Sequence, residues 1–285
     1  MKIITLTTDM GLKDHYVASL KGKILQSIQD IQIIDISHSI KPFDIADAAY
    51  QIKNSFKDFP KGTIHVIGVD SEPVINFSGA DGSFPSILLF NDQYFISNDN
   101  GFFGAFLGEN KPDEFWIMDA ILNAENPFQF PAKNLLIPIA TKILSGESLD
   151  SFAKKSDYYK NALTMTAITE TNLIKGHVIN IDSYGNIITN ISRDLFEQIG
   201  KESQFILYFK NKNYYIDFIS NSYNEVAQGE KVAIFNEGNL LEIAINRGAN
   251  RSTGGAEQLF GLRVQDIVRV EFTPKGSRDT IDSLF

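Results

Sequence analysis

The stretch Gly176–Ser192, GHVINIDSYGNIITNIS, places an Asp at the end of an apolar strand and a Tyr and an Asn in the turn that follows. Val178, Asn180 and Asp182 point one way and Ile179 and Ile181 the other, and Ile187–Ile191 resumes the alternation. A hairpin needs Gly and Asn at its bend, but it needs neither Asp182 nor Tyr184. The segment reads equally as a plain β-turn and as a ligand-facing one. A second acidic turn, Thr8-Asp9-Met10-Gly11, follows the β-branched strand Lys2–Thr7, and a third carboxylate, Asp70, ends the strand Thr63–Val69. Leu240–Ala249, LLEIAINRGA, reads as one more strand ending in a turn. Four histidines, His15, His38, His65 and His177, read as core or surface residues rather than catalysts, and Cys is absent. Disulfides, Cys-metal sites and thiol catalysis are therefore excluded, and no transition-metal site is expected.

The elements that must position these groups follow from periodicity. Val17, Leu20, Ile24 and Ile28 recur at helical spacing after a candidate cap, Asp14; Ile45, Ala48, Ala49, Ile52 and Phe56 do so after Asp44. Strands Lys2–Thr7, Ile31–Ser37 and Thr63–Val69 alternate with these helices. Short strands follow around Ile87–Leu89 and Tyr94–Ser97, then the loop Asn98-Asp99-Asn100-Gly101, a short helix, and another helix over Pro138–Leu144. The alternation predicts an α/β N-terminal domain with a mainly parallel sheet, in which ligands sit beyond the carboxyl ends of strands. Asp9 and Asp70 both occupy such ends. Composition turns polar over Ser151–Asn172, where the linker is placed. Beyond it, runs at Gln204–Phe209, Tyr214–Ile219, Lys231–Phe235, Leu240–Ile245 and Asp266–Phe272 predict a smaller all-β C-terminal domain, barrel-like or sandwich-like. The expected organisation is an α/β domain over 1–160, a β domain over 172–273 and a polar tail over 274–285.

At 285 residues, 43% hydrophobic and 21% charged, the chain has the composition of an ordinary globular protein of two domains. A net charge of −9 with no basic run argues against a nucleic-acid partner. No apolar run approaches the ~20 residues of a membrane helix, and the N-terminus lacks the pattern of a signal peptide. A cytoplasmic protein without a membrane partner is expected.

Three motifs in order, TTDxGxxDxYVxxxKG from Thr7, IDxxGNxxTNI from Ile181 and LEIAxNxG from Leu241, resemble those of the S-adenosylmethionine (SAM) hydroxide adenosyltransferase, fluorinase and chlorinase family. The resemblance implies that Asp9 accepts hydrogen bonds from the ribose diol, as an acceptor-only carboxylate suits two vicinal hydroxyls. It makes Asp182 the partner of the methionine ammonium, Tyr184 a stacking surface and Asn186 an adenine-edge partner. Asn246, Gly248 and Ala249 would line the adenine pocket, and Phe43, in HSIKPFDI, would flank the ribose or else be a core Phe. It also implies a homotrimer with sites between subunits, SAM or adenosine as ligand, and no cofactor beside SAM.

The reaction it implies is attack of water on the ribose C5′ with methionine leaving, directed by an Asp, an Arg and a His. Asp70 matches that Asp. No Arg occurs between Asp70 and Ile87, and Pro131 stands where the His is expected. Proline offers neither donor nor acceptor for this role. Tyr16 stands where the fluorinase has a Ser and favours the hydrolase branch. Lys133 is a candidate substitute: were Phe130–Leu135 extended, it would share a face with Pro131. Glu237 replaces a small hydroxyl residue near the methionine carboxylate. Two readings follow: a slow adenosine-forming SAM hydrolase, and a non-catalytic SAM- or adenosine-binding protein.

Overall fold

The computed structural model describes residues 2–74, 82–118, 126–162, 165–200, 203–250 and 252–273. The tail expected over 274–285 lies outside them. The chain forms two compact units, Met1–Thr164 and Met165–Phe285.

In the first unit, β1 (Lys2–Thr8) is buried along all but its first residue, as a strand covered on both faces must be. Helix α1 (Tyr16–Ser27) buries Val17, Leu20 and Ile24 on one stripe. Its N-cap is His15, with no side-chain cap bond, so Asp14 does not fill the capping role expected of it. After β2 (Ile31–Ser37), Asp44 does cap α2 (Ile45–Lys53): its Oδ1 accepts from the Asp47 N–H at 3.0 Å. Then come β3 (Ile64–Gly68), β4 (Pro85–Phe90), β5 (Gln93–Asn98), α3 (Phe102–Leu107) and β6 (Glu114–Ile117). A π-helical turn, Ala132–Leu136, runs into α4 (Ile137–Leu144), and β7 (Lys154–Lys155) closes the unit.

The sheet order is β2-β1-β3-β5-β4-β6-β7. The pairs β1–β2, β1–β3 and β3–β5 are parallel, whereas β4–β5, β4–β6 and β6–β7 are antiparallel. The sheet is thus mixed, not mainly parallel as the alternation suggested. The cause is local. β4 and β5 are joined by Asn91 and Asp92, both at positive φ (52° and 59°), which is tight hairpin geometry. Only antiparallel neighbours can be joined this way; a parallel pair needs a crossover of roughly a dozen residues or more.

One face of the sheet carries an aromatic core of Phe56, Phe95, Phe102, Phe103, Phe106 and Phe115; the other is aliphatic, with Ile4, Leu6, Leu20, Ile24 and Leu136. His65 on β3 stacks on Phe95 at 4.7 Å between ring centroids. Its Nε2 donates to Gln93 Oε1 (2.6 Å), and its Nδ1 accepts from the Thr5 hydroxyl (2.7 Å). The amide oxygen only accepts, so this pairing fixes the neutral tautomer. His65 is a core histidine.

The second unit contains β8 (Ile168–Glu170), β9 (Leu173–Ile181), β10 (Ile187–Ser192), α5 (Arg193–Gly200), β11 (Phe205–Phe209) and β12 (Asn211–Ile216). It continues through β13 (Lys231–Phe235), β14 (Leu240–Ile245), α6 (Ala256–Phe260) and β15 (Ile267–Phe272). Its sheet runs β12-β11-β15-β9-β10-β14-β13, with β8 on β9, and curls into a nearly barrel-shaped, antiparallel layer. Strict alternation of burial along β9 puts Ile174 and Val178 into a core with Ile187, Leu207, Leu241, Ile243 and Val270. The two short helices depart from the all-β expectation.

Burial lowers the His65 pKa from an ordinary 6.5 to about 4. Between these values the unfolded chain binds a proton that the fold does not, so stability falls as pH drops through that window. The loss amounts to about 3 kcal/mol at most, since each tenfold change in proton affinity is worth roughly 1.4 kcal/mol. Urea denaturation at pH 7 and pH 4.5 should show a smaller pH-dependent drop in His65→Gln than in the wild type; equal drops would place the acid sensitivity elsewhere.

Candidate functional site

In the first unit, the carboxyl ends of β1 and β3 lie side by side because the strands are parallel neighbours. Asp9 leaves the first and Asp70 the second. Asp9 Oδ2 accepts from the Phe43 N–H at 2.9 Å and makes a long contact of 3.5 Å with the Asp70 N–H. Three of the expected residues are therefore gathered around one carboxylate. Phe43 and Asp70 both hold positive φ, 66° and 45°, a region unfavourable to residues with a Cβ. The Phe43 ring is 73% exposed, which excludes the core-Phe alternative. The loop is also held from below. The Thr8 hydroxyl lies 2.7 Å from His38 Nδ1, and the His38 carbonyl accepts from the Gly11 N–H at 2.8 Å.

Burial pushes the Asp70 carboxyl above its ordinary range, the nearby Asp9 and Glu72 charges add to this, and the Asn100 amide partly offsets it. Asn100 belongs to the Asn98–Gly101 loop at the end of β5, which the sequence singled out without a role. Pro131 is the first residue of a helical stretch, with φ −58° and ψ −37°. Ala132 beside it packs so closely on Gly68 that a Cβ added there would lie 3.0 Å away. The Pro131 region thus abuts the strand that delivers Asp70. Phe130–Leu135 is not extended, so the facing expected of Lys133 and Pro131 fails: residues two apart on a helix do not share a face. The Lys133 ammonium sits 5.9 Å from the Phe130 ring centroid. Among the described residues it makes no ion pair with Asp70. The Phe130 ring in turn meets Tyr16 edge to face.

In the second unit, β9 and β10 pair antiparallel with Ile181 opposite Ile187, and Asp182 opens the turn between them. Its Oδ1 accepts from the Tyr184 and Asn186 N–H groups, each at 2.9 Å, and its Oδ2 from Asn186 Nδ2 at 3.0 Å. The carboxylate therefore shapes the turn, whatever else it meets. Asn186 is buried and the Tyr184 ring 64% exposed. The turn docks on the segment after β14: the Asn250 N–H donates to the Tyr184 carbonyl (3.0 Å) and the Glu257 N–H to that of Gly185 (2.9 Å).

That segment begins with Asn246, whose Nδ2 donates to the Val226 carbonyl at 2.8 Å. Its buried Oδ1 has no partner among the described residues. Gly248 has no room for a side chain, since a Cβ would lie 2.5 Å from the Gly254 carbonyl. Ala249 donates its N–H to Thr253 Oγ1 (2.9 Å). The structure thus brings Tyr184, Asn186, Gly248 and Ala249 to neighbouring turns.

One acidic residue of the third motif carries no role in the sequence reading. Glu242 on β14 is buried. The Tyr223 hydroxyl donates to its Oε1 at 2.6 Å and Asn236 Nδ2 to its Oε2 at 3.3 Å. Burial raises its pKa, these donors lower it, and the Asp182 charge raises it again. The signal available was a lone charge inside LLEIAI. A surface cavity of about 470 Å³ is lined by Asn250, Glu257, Gln258, Gly261, Leu262 and Arg263, none of them an expected site residue. Among the described residues no cluster of three or more acidic or His side chains is placed to hold a metal.

The family model of the SAM hydroxide adenosyltransferase N-terminal domain matches residues 4–153, and that of the C-terminal domain matches residues 176–269. The chain belongs to this family. It is 33% identical over 207 residues to the (R)-S-adenosyl-L-methionine hydrolase of Methanocaldococcus jannaschii, covering 68% of each chain. The hydrolase of the same name from Thermus thermophilus is 22% identical over 276 residues, covering 93% of this chain and all of that one. A fluorinase from Actinopolyspora mzabensis is 24% identical over 222 residues, 70% of this chain and 74% of its own. An uncharacterized conserved protein of Thermotoga maritima shares the fold with a TM-score of 0.78 at 25% identity, covering 94% of this chain and 99% of its own.

Proposed function

We propose that this chain is an enzyme that hydrolyses SAM at the ribose C5′. The oxygen of water forms a bond to C5′, and the C5′–S bond breaks with its electron pair kept by sulfur. Adenosine and neutral L-methionine leave, and the proton lost by water passes to Asp70 or solvent. The observation that carries the reading is the Asp9 carboxylate, which gathers Asp70 and Phe43 at adjacent strand ends. Family membership supports it, and relatives named as hydrolases favour an enzyme over a non-catalytic binding protein. SAM enters as the substrate, and no separate cofactor is required.

The division of labour we propose follows the two units. Residues 1–160 supply Asp9 for the ribose diol, Phe43 beside the sugar and Asp70 as the base. Residues 172–273 supply Asp182 for the ammonium, Tyr184 and Asn186 for the adenine, and Asn246, Gly248 and Ala249 for the rest of its pocket. The unpartnered Asn246 oxygen supports a ligand donor there. Lys133 stays a subsidiary candidate through its nearness to the Pro131 turn. A homotrimer in which copies complete each other's sites is the assembly we propose. Exposed Leu12, Tyr16, Phe43 and Tyr184 near the site residues support it. A cytoplasmic location fits a SAM-consuming enzyme, and no helix among the described residues is long and apolar enough to cross a membrane.

Four outcomes test this. Incubation with each sulfonium epimer, followed by chromatography, should release adenosine and methionine slowly, and release should decline on acidification as Asp70 takes up its proton. Its raised pKa puts that decline at a higher pH than an ordinary carboxylate would. Loss of a positioned base costs about 10²–10⁴-fold, so Asp70→Asn should approach the buffer blank; wild-type-like turnover would shift the role to another group. Asp182→Asn keeps an acceptor oxygen for the turn but no charge. In calorimetry it should weaken SAM by about 1.5–3 kcal/mol and adenosine little, whereas Asp182→Ala should weaken both by loosening Asn186. Equal losses in Asp182→Asn would remove the ammonium role. Sedimentation at micromolar concentration should give a trimer, and a monomer would refute the assembly.

A further inference from the structure

The geometry points to Asn100, assisted by Asn98, as the positioning residue that aims Asp70 at the reacting centre. This rests on the reading of Asp70 as the base. After β3 ends at Gly68, the chain carrying Asp70 leaves the ladder, and its carbonyls lose their strand partners. Two side chains, one from the last residue of β5 and one from the loop after it, replace them. Asn100 Nδ2 donates to the Asp70 carbonyl at 2.9 Å and to that of Val69 at 3.3 Å. Asn98 Nδ2 donates to the Glu72 carbonyl at 2.9 Å and to Ser83 Oγ at 2.9 Å. The backbone is thus gripped before, at and after Asp70.

The direction of the Asn100 amide is forced. Its Oδ1 accepts from the Phe102 N–H at 3.1 Å, and a carbonyl can only accept, so the nitrogen must face Val69 and Asp70. The loop behind it is itself fixed. The buried Asp99 carboxylate accepts from the Lys160 N–H through both oxygens, at 3.0 and 3.2 Å. Gly101, at φ 105°, lets the chain turn into α3 where a Cβ would crowd Ile45 and Ala162. What this rigid loop holds is a non-glycine residue at φ 45°, a conformation that persists only when its surroundings over-determine it. Released from Asn100, Asp70 would relax towards ordinary backbone angles and its carboxylate would swing away. The charged groups bearing on that carboxylate are Asp9 and Glu72, both negative, so the Asn100 amide is the group that favours its ionised form.

The test uses the full chain and the variants Asn100→Ser and Asn100→Ala. Serine retains a turn acceptor for the Phe102 N–H two residues on but is too short to reach the Asp70 carbonyl. Three quantities are compared with the wild type: adenosine release at saturating SAM, adenosine affinity by calorimetry, and the titration of the Asp70 carboxyl by carbon NMR. Its signal is identified by its loss in Asp70→Asn. Turnover should fall roughly 10²-fold, the scale of an ångström-level misplacement, with adenosine affinity changed less than about threefold, since Asp9 is untouched. The Asp70 midpoint should move upward.

Unchanged turnover and midpoint in Asn100→Ser would overturn the assignment, as would equal losses of affinity and turnover. Should the alanine variant fail to fold, the serine variant, which keeps the turn acceptor, decides. Should the wild type release no adenosine, the proposed reaction falls alone. The Asp70 midpoint in Asn100→Ser then decides the clamp: an upward shift upholds it and an unmoved one refutes it.

Discussion

The first unit depends on one carboxylate accepting backbone N–H groups where no strand partner remains. Asp9 sits at the end of β1, flanked in the sheet by β2 and β3, both parallel to it. Parallel neighbours end on the same side, so the chain after β2 and the chain after β3 both emerge beside Asp9. Each brings a residue at positive φ, Phe43 and Asp70, at a cost of about 1–2 kcal/mol apiece. The part-buried Asp70 N–H without an acceptor would cost a similar amount again, whereas the Phe43 N–H is exposed. One acidic side chain meets both needs, fully for Phe43 and loosely for Asp70.

Much of this was legible in the sequence, for identifiable reasons. Apolar stripes at helical spacing gave α1 and α2, and strict alternation gave β9, because burial on one face leaves no other pattern. The Asp44 cap was legible since an acceptor at a helix start serves the first free N–H groups; Asp14 misled because the helix begins after His15. The sheet was read as mainly parallel because alternating strands and helices dominate the first third. The short Asn91-Asp92 connection between the strands at Ile87–Leu89 and Tyr94–Ser97 is the local signal that reverses the direction of β4. Lys133 was misplaced because Pro131 can open a helix as well as sit in extended chain. The Asn98 and Asn100 clamp was invisible, as it joins loops some thirty residues apart in a way no local pattern encodes.

The hairpin between β9 and β10 shows why one sequence supported two readings. Asp182 holds the turn through three donors, so the plain-turn reading is right as far as it goes. Yet a turn held this tightly also fixes Asn186 and presents Tyr184 outward, the pre-organisation that the proposed ligand role requires. An Asp also brings a charge that other turn residues lack. Glu242 behind it, raised by burial and by Asp182, shows that this negative potential reaches into the sheet.

A sulfonium substrate limits what such potential contributes to rate. Attack of neutral water at C5′ moves positive charge from sulfur towards the entering oxygen without creating new charge. Carboxylates that attract the cation in the bound state gain nothing special at the barrier, because uniform binding leaves the chemical step unchanged. In the proposed reaction Asp9 and Asp182 therefore act on affinity. What exists only in the transition state is an acidified water proton, and accepting it favours a carboxylate of raised proton affinity that is still ionised at neutral pH. The Asp9 charge also pushes Asp70 in that direction. With Pro131 where a His is expected and no Arg between Asp70 and Ile87, acceleration in the proposed reaction rests on where Asp70 points. That direction is set by backbone held through side-chain amides, a far more exacting constraint than charge alone.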